Sequence, residues 1–398
     1  MDSPSLPPEQ RNSPELEAAL VAEITASGPM TFARFMDRAL YHPRFGYYLS
    51  PERRPGRGGD FLTAPETHPF FGLTVARQLV EMWERLGSPP SFGVREYGSG
   101  IGGLAYDVIV GMLDLRPALR TVLRYRFNEV NQHRVAQALS AMDQVGFGDL
   151  VDVDDGEPIE GVVLANEVAD AMPVHRLVWT GTDLQETRVG WDGEQFVEVV
   201  GGLSADVASL NLPAYFARVG VELAAMPAGA RLEVSPAMDG WVRDLAAGLA
   251  RGYALIIDYG YPAAELYRDH RLAGTVRAYS GHTVTDDPYG LVGRQDLTAH
   301  VDFTRVTEVA TENGLIVAGL ATQADFLSGN GLGELLVTLQ RQPDVAVDEY
   351  YRAQAATFRL IDPGGMGRFR VLGLARNAPV SPPLAGFAGP DLPAGLRL

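Results

Sequence analysis

Apolar residues recur at helical spacing from Pro14 to about Leu40: Leu16, Leu20 and Ile24, then Phe32, Phe35, Met36 and Leu40. Gly28-Pro29 splits this pattern into two helices. Residues 41–66 lose the periodicity and are dense in Gly, Pro and aromatics, as in Tyr41-His-Pro-Arg-Phe-Gly-Tyr-Tyr48. A loop of that length is functional or disordered as a rule, and its aromatic content argues for function. Helical spacing returns from Phe70 to Leu86.

After Pro89-Pro90 the rhythm changes to short apolar runs alternating with helical stretches. Phe92–Tyr97, Val122–Val130, Gly161–Asn166, Gly252–Tyr259, Leu315–Ala321 and Arg368–Arg376 read as strands. The stretches after Gly103, from about Asn131 to Met142, Met238–Leu249 and Asp302–Asn313 read as helices. Strand–helix alternation predicts an α/β fold with a mostly parallel, doubly wound sheet. Three pieces interrupt it. Residues 174–200 alternate in the β manner and suggest an inserted hairpin, 262–300 read as a Gly/Tyr/Asp-rich loop, and 322–365 are mostly helical.

Composition narrows the chemistry. The 398 residues include no cysteine, which excludes disulfides, thiolate metal sites and a cysteine nucleophile. A net charge of −17 argues against nucleic acid as a partner, because few cations face a phosphate backbone. No run of 18 apolar residues predicts a membrane span. The Pro- and Ser-rich residues 1–13 read as a disordered leader without signal-peptide character, and a cytoplasmic protein is expected.

The strand at 92–97 runs into Glu96-Tyr-Gly-Ser-Gly-Ile-Gly-Gly103 and then a helix. Gly98, Gly100 and Gly103 fit the spacing G-x-G-x-x-G, a turn that lets a ligand approach the backbone at a helix N-terminus. Glu96 would repel a pyrophosphate; it suits an ammonium-bearing nucleotide such as S-adenosylmethionine. Glu129, at the end of the next strand, is placed to accept from ribose hydroxyls. Gly102 and Val130 complete the donor-contacting positions of these two strand ends.

Several further stretches run in a fixed order along residues 30–376: Pro43-Arg-Phe-Gly-Tyr-Tyr48, Gly59-Asp-Phe-Leu-Thr-Ala-Pro-Glu66, Ala165-Asn-Glu-Val-Ala-Asp-Ala-Met-Pro-Val-His175, Ile257-Asp-Tyr-Gly260, Gln295-Asp-Leu-Thr-Ala-His-Val-Asp-Phe303 and Ile361-Asp-Pro-Gly-Gly-Met-Gly367. Together with the glycine turn they resemble the MidA-type methyltransferases. The resemblance implies a Rossmann-like, seven-stranded class I methyltransferase sheet with an antiparallel last strand and S-adenosyl-L-methionine as donor. It also implies an arginine acceptor, as in the family's mitochondrial complex I assembly factor. The layout expected along the chain is a leader at 1–13, a helical N-terminal cover with a donor-covering loop at 14–88, and a methyltransferase domain at 89–376. That domain carries insertions near 174–235, 262–300 and 322–365, and a loose tail follows at 377–398. Two departures stand out. Ser99 and Ile101 replace the family's usual Pro and Arg in the turn, and Val168-Ala169 replaces two aromatics, reshaping the wall beside the donor.

Methyl transfer is an in-line displacement that needs an aligned nucleophile and a group to hold or deprotonate it, with no metal. Asn166 and Glu167 end a buried strand where α/β ligands bind, and Glu167 is the carboxylate for a guanidinium or amine. Asp60, Phe61 and Thr63 resemble the family's loop over the donor. Asp258 and Tyr259 end another central strand, and His300 with Asp302 supplies a candidate general base and its orienter. Glu233 and Pro236 also match the family, with no chemistry demanding them. The acceptor is a protein or a small molecule, a donor-binding assembly factor without turnover is a further reading, and a homodimer is open.

Overall fold

The structure is a computed structural model that describes residues 12–50, 63–268, 271–281 and 283–389. The chain divides into two compact units, each assembled from three separate segments.

One unit comprises 62–168, 242–260 and 306–398 and contains a seven-stranded sheet. Its strands are β1 (Phe92–Tyr97), β2 (Leu123–Asn128), β3 (Val151–Val153), β4 (Ile159–Asn166), β5 (Leu249–Asp258), β6 (Ile316–Thr322) and β7 (Arg370–Arg376). The order is β6-β7-β5-β4-β1-β2-β3. The five from β5 to β3 run parallel, and β7 is antiparallel to both β5 and β6. This is the doubly wound sheet with an antiparallel last strand that the sequence predicts. In β4, Val162, Val163, Leu164 and Ala165 are all buried, so the strand reads as an unbroken apolar run because both faces are covered. Phe71, Val75 and Leu79 from the helix Phe70–Arg85, and Val108 and Met112 from the helix Gly103–Leu115, join this core. The two helices approach closely at Gly72, where a Cβ would lie 2.4 Å from the Asp107 Cβ.

Gly93, Gly161 and Gly252 stand side by side on β1, β4 and β5. A Cβ on Gly161 would fall 1.9 Å from the Gly93 carbonyl oxygen, and Gly161 has φ 149°. A side chain fits neither the space nor the backbone angle. Arg95 on β1 is 2% exposed and forms an ion pair with Asp154 at 2.8 Å; it also donates to the carbonyls of Gly248 and Glu157. A buried pair with its hydrogen bonds filled is the tolerable form of an interior charge.

The second unit comprises 1–61, 169–241 and 261–305. Its main sheet is antiparallel: Met30–Thr31, Leu184–Trp191, His175–Trp179 and Arg231–Val234 lie side by side, and Phe196–Gly201 pairs with Leu184–Trp191. The helices Pro14–Ser27 and Phe32–Tyr41 bury Leu16, Leu20, Ile24, Phe35 and Met36 in a cluster with Val189, Phe196 and Leu297. The amino-terminal helices therefore pack within the unit that holds the inserted strands.

Three expectations change. Residues 262–300 are more than a loop: Arg277–Ser280, Thr283–Thr285 and Asp296–Thr298 form a small antiparallel sheet. The expected loose tail is tied down over 377–389. Leu384 is fully buried, the Gly386 N–H donates to Gln78 Oε1 at 2.9 Å, and Phe387 packs on Phe326 with ring centroids 5.5 Å apart. Gly319 and Gly373 leave the room that the Phe387 ring fills. At the other end, Ser13 is anchored by its N–H to the Val292 carbonyl at 2.9 Å, and the rest of the expected leader, 1–11, lies outside the described residues.

Candidate functional site

At the carboxyl end of β1 the chain turns through Gly98, Gly100 and Gly102 with φ of 64°, 55° and 84° before the helix Gly103–Leu115. These left-handed angles are why glycine occurs there. Nothing lies within 4 Å of where a Gly100 Cβ would stand, so the turn presents bare backbone to open space. Glu129, just past β2, braces it. One oxygen accepts from the Gly100 N–H and the other from the Asn131 N–H, both at 2.9 Å. Each carboxylate oxygen keeps acceptor capacity for a hydroxyl. Beside them Val130 is 58% and Ile101 53% exposed, two apolar side chains in the open.

Glu96 on β1 is 3% exposed and accepts from the Tyr125 hydroxyl at 2.8 Å. Burial pushes its carboxyl up to about 7; the Tyr125 bond opposes that shift and the nearby Glu129 charge adds to it. Ser99 Oγ and Asn166 Oδ1 are buried and have no hydrogen-bond partner among the described residues.

At the end of β4, Glu167 adopts φ 52°, a left-handed angle that is uncommon for a residue with a side chain. Its N–H donates to the Ile257 carbonyl on β5 at 2.8 Å. Its Oε1 accepts from the Ala64 N–H at 3.0 Å and from Asn166 Nδ2 at 3.2 Å, so the carboxylate holds the first turn of the short helix Ala64–Thr67. Thr63 closes on the same turn, its N–H and hydroxyl donating to Glu66. Asp258 is fully buried, and its two oxygens accept from the N–H groups of Val168 (3.1 Å) and Tyr259 (2.8 Å). It fastens the end of β5 to the chain leaving β4. Tyr259 packs on Phe369, ring centroids 5.3 Å apart.

Glu96, Gly98, Gly100, Gly102, Glu129, Val130, Thr63, Asn166, Glu167, Asp258 and Tyr259 thus all belong to the sheet-bearing unit. His300 belongs to the other, where its N–H donates to Thr275 Oγ1 at 3.2 Å and its ring lies 5.6 Å from that of Tyr261. Asp302 there accepts from the Tyr215 hydroxyl at 2.5 Å and the Arg305 N–H at 3.0 Å, and burial lifts it to about 6. Asp60 and Phe61 lie outside the described residues. Sequence reasoning missed Tyr125, Ser99 and Ala64; only Ser99 carried a signal, as the residue between two turn glycines.

The donor set suits a cationic nucleoside. A buried carboxylate held near neutrality by burial regains its ionised form beside an ammonium or sulfonium. Ser99 and Asn166 have buried polar atoms still to satisfy, and the glycine turn leaves backbone open to contact. A doubly wound sheet ending in an antiparallel strand, with this turn at the end of β1 and an acidic residue at the end of β2, defines a class I methyltransferase.

Residues 74–321 match the profile of a family described as S-adenosyl-L-methionine-dependent methyltransferase. The chain belongs to that family and is an enzyme that uses S-adenosyl-L-methionine. It is 31% identical over 366 residues to the protein arginine methyltransferase NDUFAF7 homolog, mitochondrial, of Drosophila melanogaster, covering 82% of this chain and 78% of that one. With protein arginine methyltransferase NDUFAF7, mitochondrial, of Homo sapiens it shares 27% identity over 370 residues, 82% of this chain and 76% of the relative. A crystal structure from Burkholderia thailandensis, bound to S-adenosyl-homocysteine, superposes with a TM-score of 0.84 at 32% identity, covering 97% of this chain and 98% of that one. The expectation of a cytoplasmic protein is overturned by the curated relatives, which are mitochondrial proteins.

Proposed function

We propose that the chain methylates arginine side chains of a protein partner. The observation that carries this reading is the relatives' activity: curated proteins matching four-fifths or more of the chain are protein arginine methyltransferases by name. The site is compatible with it. When bound, S-adenosyl-L-methionine supplies an electrophilic methyl on a sulfonium. In this reading Glu96 takes its ammonium end and Glu129 its ribose. Gly98, Gly100 and Gly102 keep the backbone near it, and Val130 packs on its base. Asn166 and Glu167 face the acceptor. A carboxylate whose position is fixed by the Ala64 N–H can pair with a guanidinium, align its nitrogen and draw off positive charge as the proton leaves.

The test compares transfer of a radiolabelled methyl group to mitochondrial protein and to a metabolite extract. Label recovered as methylarginine in protein is the expected result; label confined to metabolites sinks the protein acceptor. Glu167→Gln keeps an oxygen for the Ala64 N–H and removes the charge. It should lower kcat by ~10²–10⁴-fold while S-adenosylhomocysteine binding stays the same. Unchanged turnover in that variant would refute the role of Glu167, and no turnover at all in the parent chain would favour an assembly factor.

A further inference from the structure

The unit that holds His300 contains a cavity of about 40 Å³, on the order of three water molecules at 10–15 Å³ each. Three acidic side chains line it, Glu233, Asp239 and Asp302, all less than 8% exposed. Two are spoken for. Asp239 forms a forked pair with Arg305, its oxygens 2.5–3.1 Å from the guanidinium, and Asp302 takes the Tyr215 hydroxyl. Glu233 differs. Its Oε2 accepts from the N–H and hydroxyl of Thr275 at 2.9 and 3.0 Å. Its Oε1 is buried and accepts no hydrogen bond from any described residue. A Cβ at Gly274 would lie 2.3 Å from that oxygen, so the glycine leaves it room.

A buried carboxylate oxygen without a donor costs more than a filled one. Such a group recovers that cost on binding a cation that brings its own N–H donors. The remaining walls say which cation. Leu210, Val234 and Met238 offer an apolar sleeve for an aliphatic stem. Tyr215 packs against two guanidinium groups, those of Arg218 and Arg305, 5.5 and 5.9 Å from its ring centre. The chemistry of these walls matches a planar forked cation on a hydrocarbon chain.

We propose that this cavity is a recognition site for an alkyl guanidinium, with Glu233 as its anchoring carboxylate. The inference deepens the arginine-methyltransferase reading and rests on it for the identity of the ligand in the cell, but the cavity's binding chemistry is measurable alone. The full chain is titrated calorimetrically with N-acetyl-arginine amide, with agmatine and with N-acetyl-citrulline amide, an uncharged isostere. The arginine amide should bind at least tenfold more tightly than the citrulline amide, and Glu233→Gln should erase that preference. Leu210→Trp, which fills the sleeve, should remove the Glu233-dependent part of the binding of both cations. In both variants S-adenosylhomocysteine should bind as in the parent, which separates loss of the cavity from loss of the fold.

Tighter binding of the arginine amide than of agmatine assigns the cavity to a peptide arginine, and the reverse assigns it to a free guanidine; either supports the site. Equal binding of citrulline amide, or an unchanged Glu233→Gln, overturns it. Guanidinium binding without methyl transfer to protein would leave the cavity standing and sink the proposed function.

Discussion

Glu96 sets a testable pH behaviour. Its folded value of about 7 stands above the ordinary 4.5, so the fold favours the protonated form. That contribution to stability is full below the unfolded value and is lost as pH rises through about 7. Donor binding runs the other way, because a cation calls for the ionised carboxylate. S-adenosyl-L-methionine affinity should therefore rise with pH, by up to ~tenfold per unit between about 5 and 7, and level off above. Asp302 and Asp107 also titrate near 6, so stability alone mixes three groups. Glu96→Gln isolates one: calorimetric affinity should become weaker and nearly flat over that range, and persistence of the slope would remove Glu96 from the donor site. Glu96 was singled out in the sequence by its place two residues before the glycine turn, and Glu129 by its place at the end of the next strand. The Tyr125 hydroxyl was not, since its bond to Glu96 joins two strands whose register only the fold defines. Asp258 looked available for an acceptor because strand ends in such sheets meet ligands. In the fold each of its two oxygens accepts from a backbone N–H group, so it also fastens two strand ends together.

The parallel strands β4 and β5 were readable from continuous apolar runs, the signature of a strand covered on both faces, whereas β2 alternates and β1 carries Arg95 and Glu96. β3 escaped because it is three residues long and only Val151 is buried. The strands within 262–300 escaped for a related reason: Thr283–Thr285 is exposed throughout and gives no apolar rhythm. The glycine row across β1, β4 and β5 carries a prediction. Gly161→Ala sets a methyl against the Gly93 carbonyl and should cost on the order of 3 kcal/mol, read as a lower urea midpoint with an unchanged slope. A variant as stable as the parent would show that the strands can part there at little cost. At the carboxyl side, Phe387→Ala should cost about 2 kcal/mol, because the ring fills space between Gly319, Gly373 and Phe326. No loss would mean that residues 377–389 contribute nothing to the sheet unit's stability.

Across the whole molecule, the two units alternate along the chain, with boundaries near 61, 168, 241, 260 and 305. A sequence reads contiguity, so the helices at 14–40 looked like a cover for the sheet. Their apolar partners Val189, Phe196 and Leu297 lie far along the chain, in segments that looked like insertions. Binding at the sheet edge should report on global stability. S-adenosylhomocysteine at 100 times its Kd should add about 2.7 kcal/mol and raise the melting temperature by a few degrees. A midpoint that ignores the ligand would place binding outside the cooperatively folded part. The strand order has a consequence for synthesis. β6 pairs within its sheet through β7, and β7 is the last of the described strands along the chain. At roughly 5–20 residues per second, the ribosome delivers β5 and β6 seconds before the strand that lies between them. Nascent chains stalled before residue 370 leave β5 and β6 without the strand that joins them, and their open edges are templates for aggregation and chaperone capture.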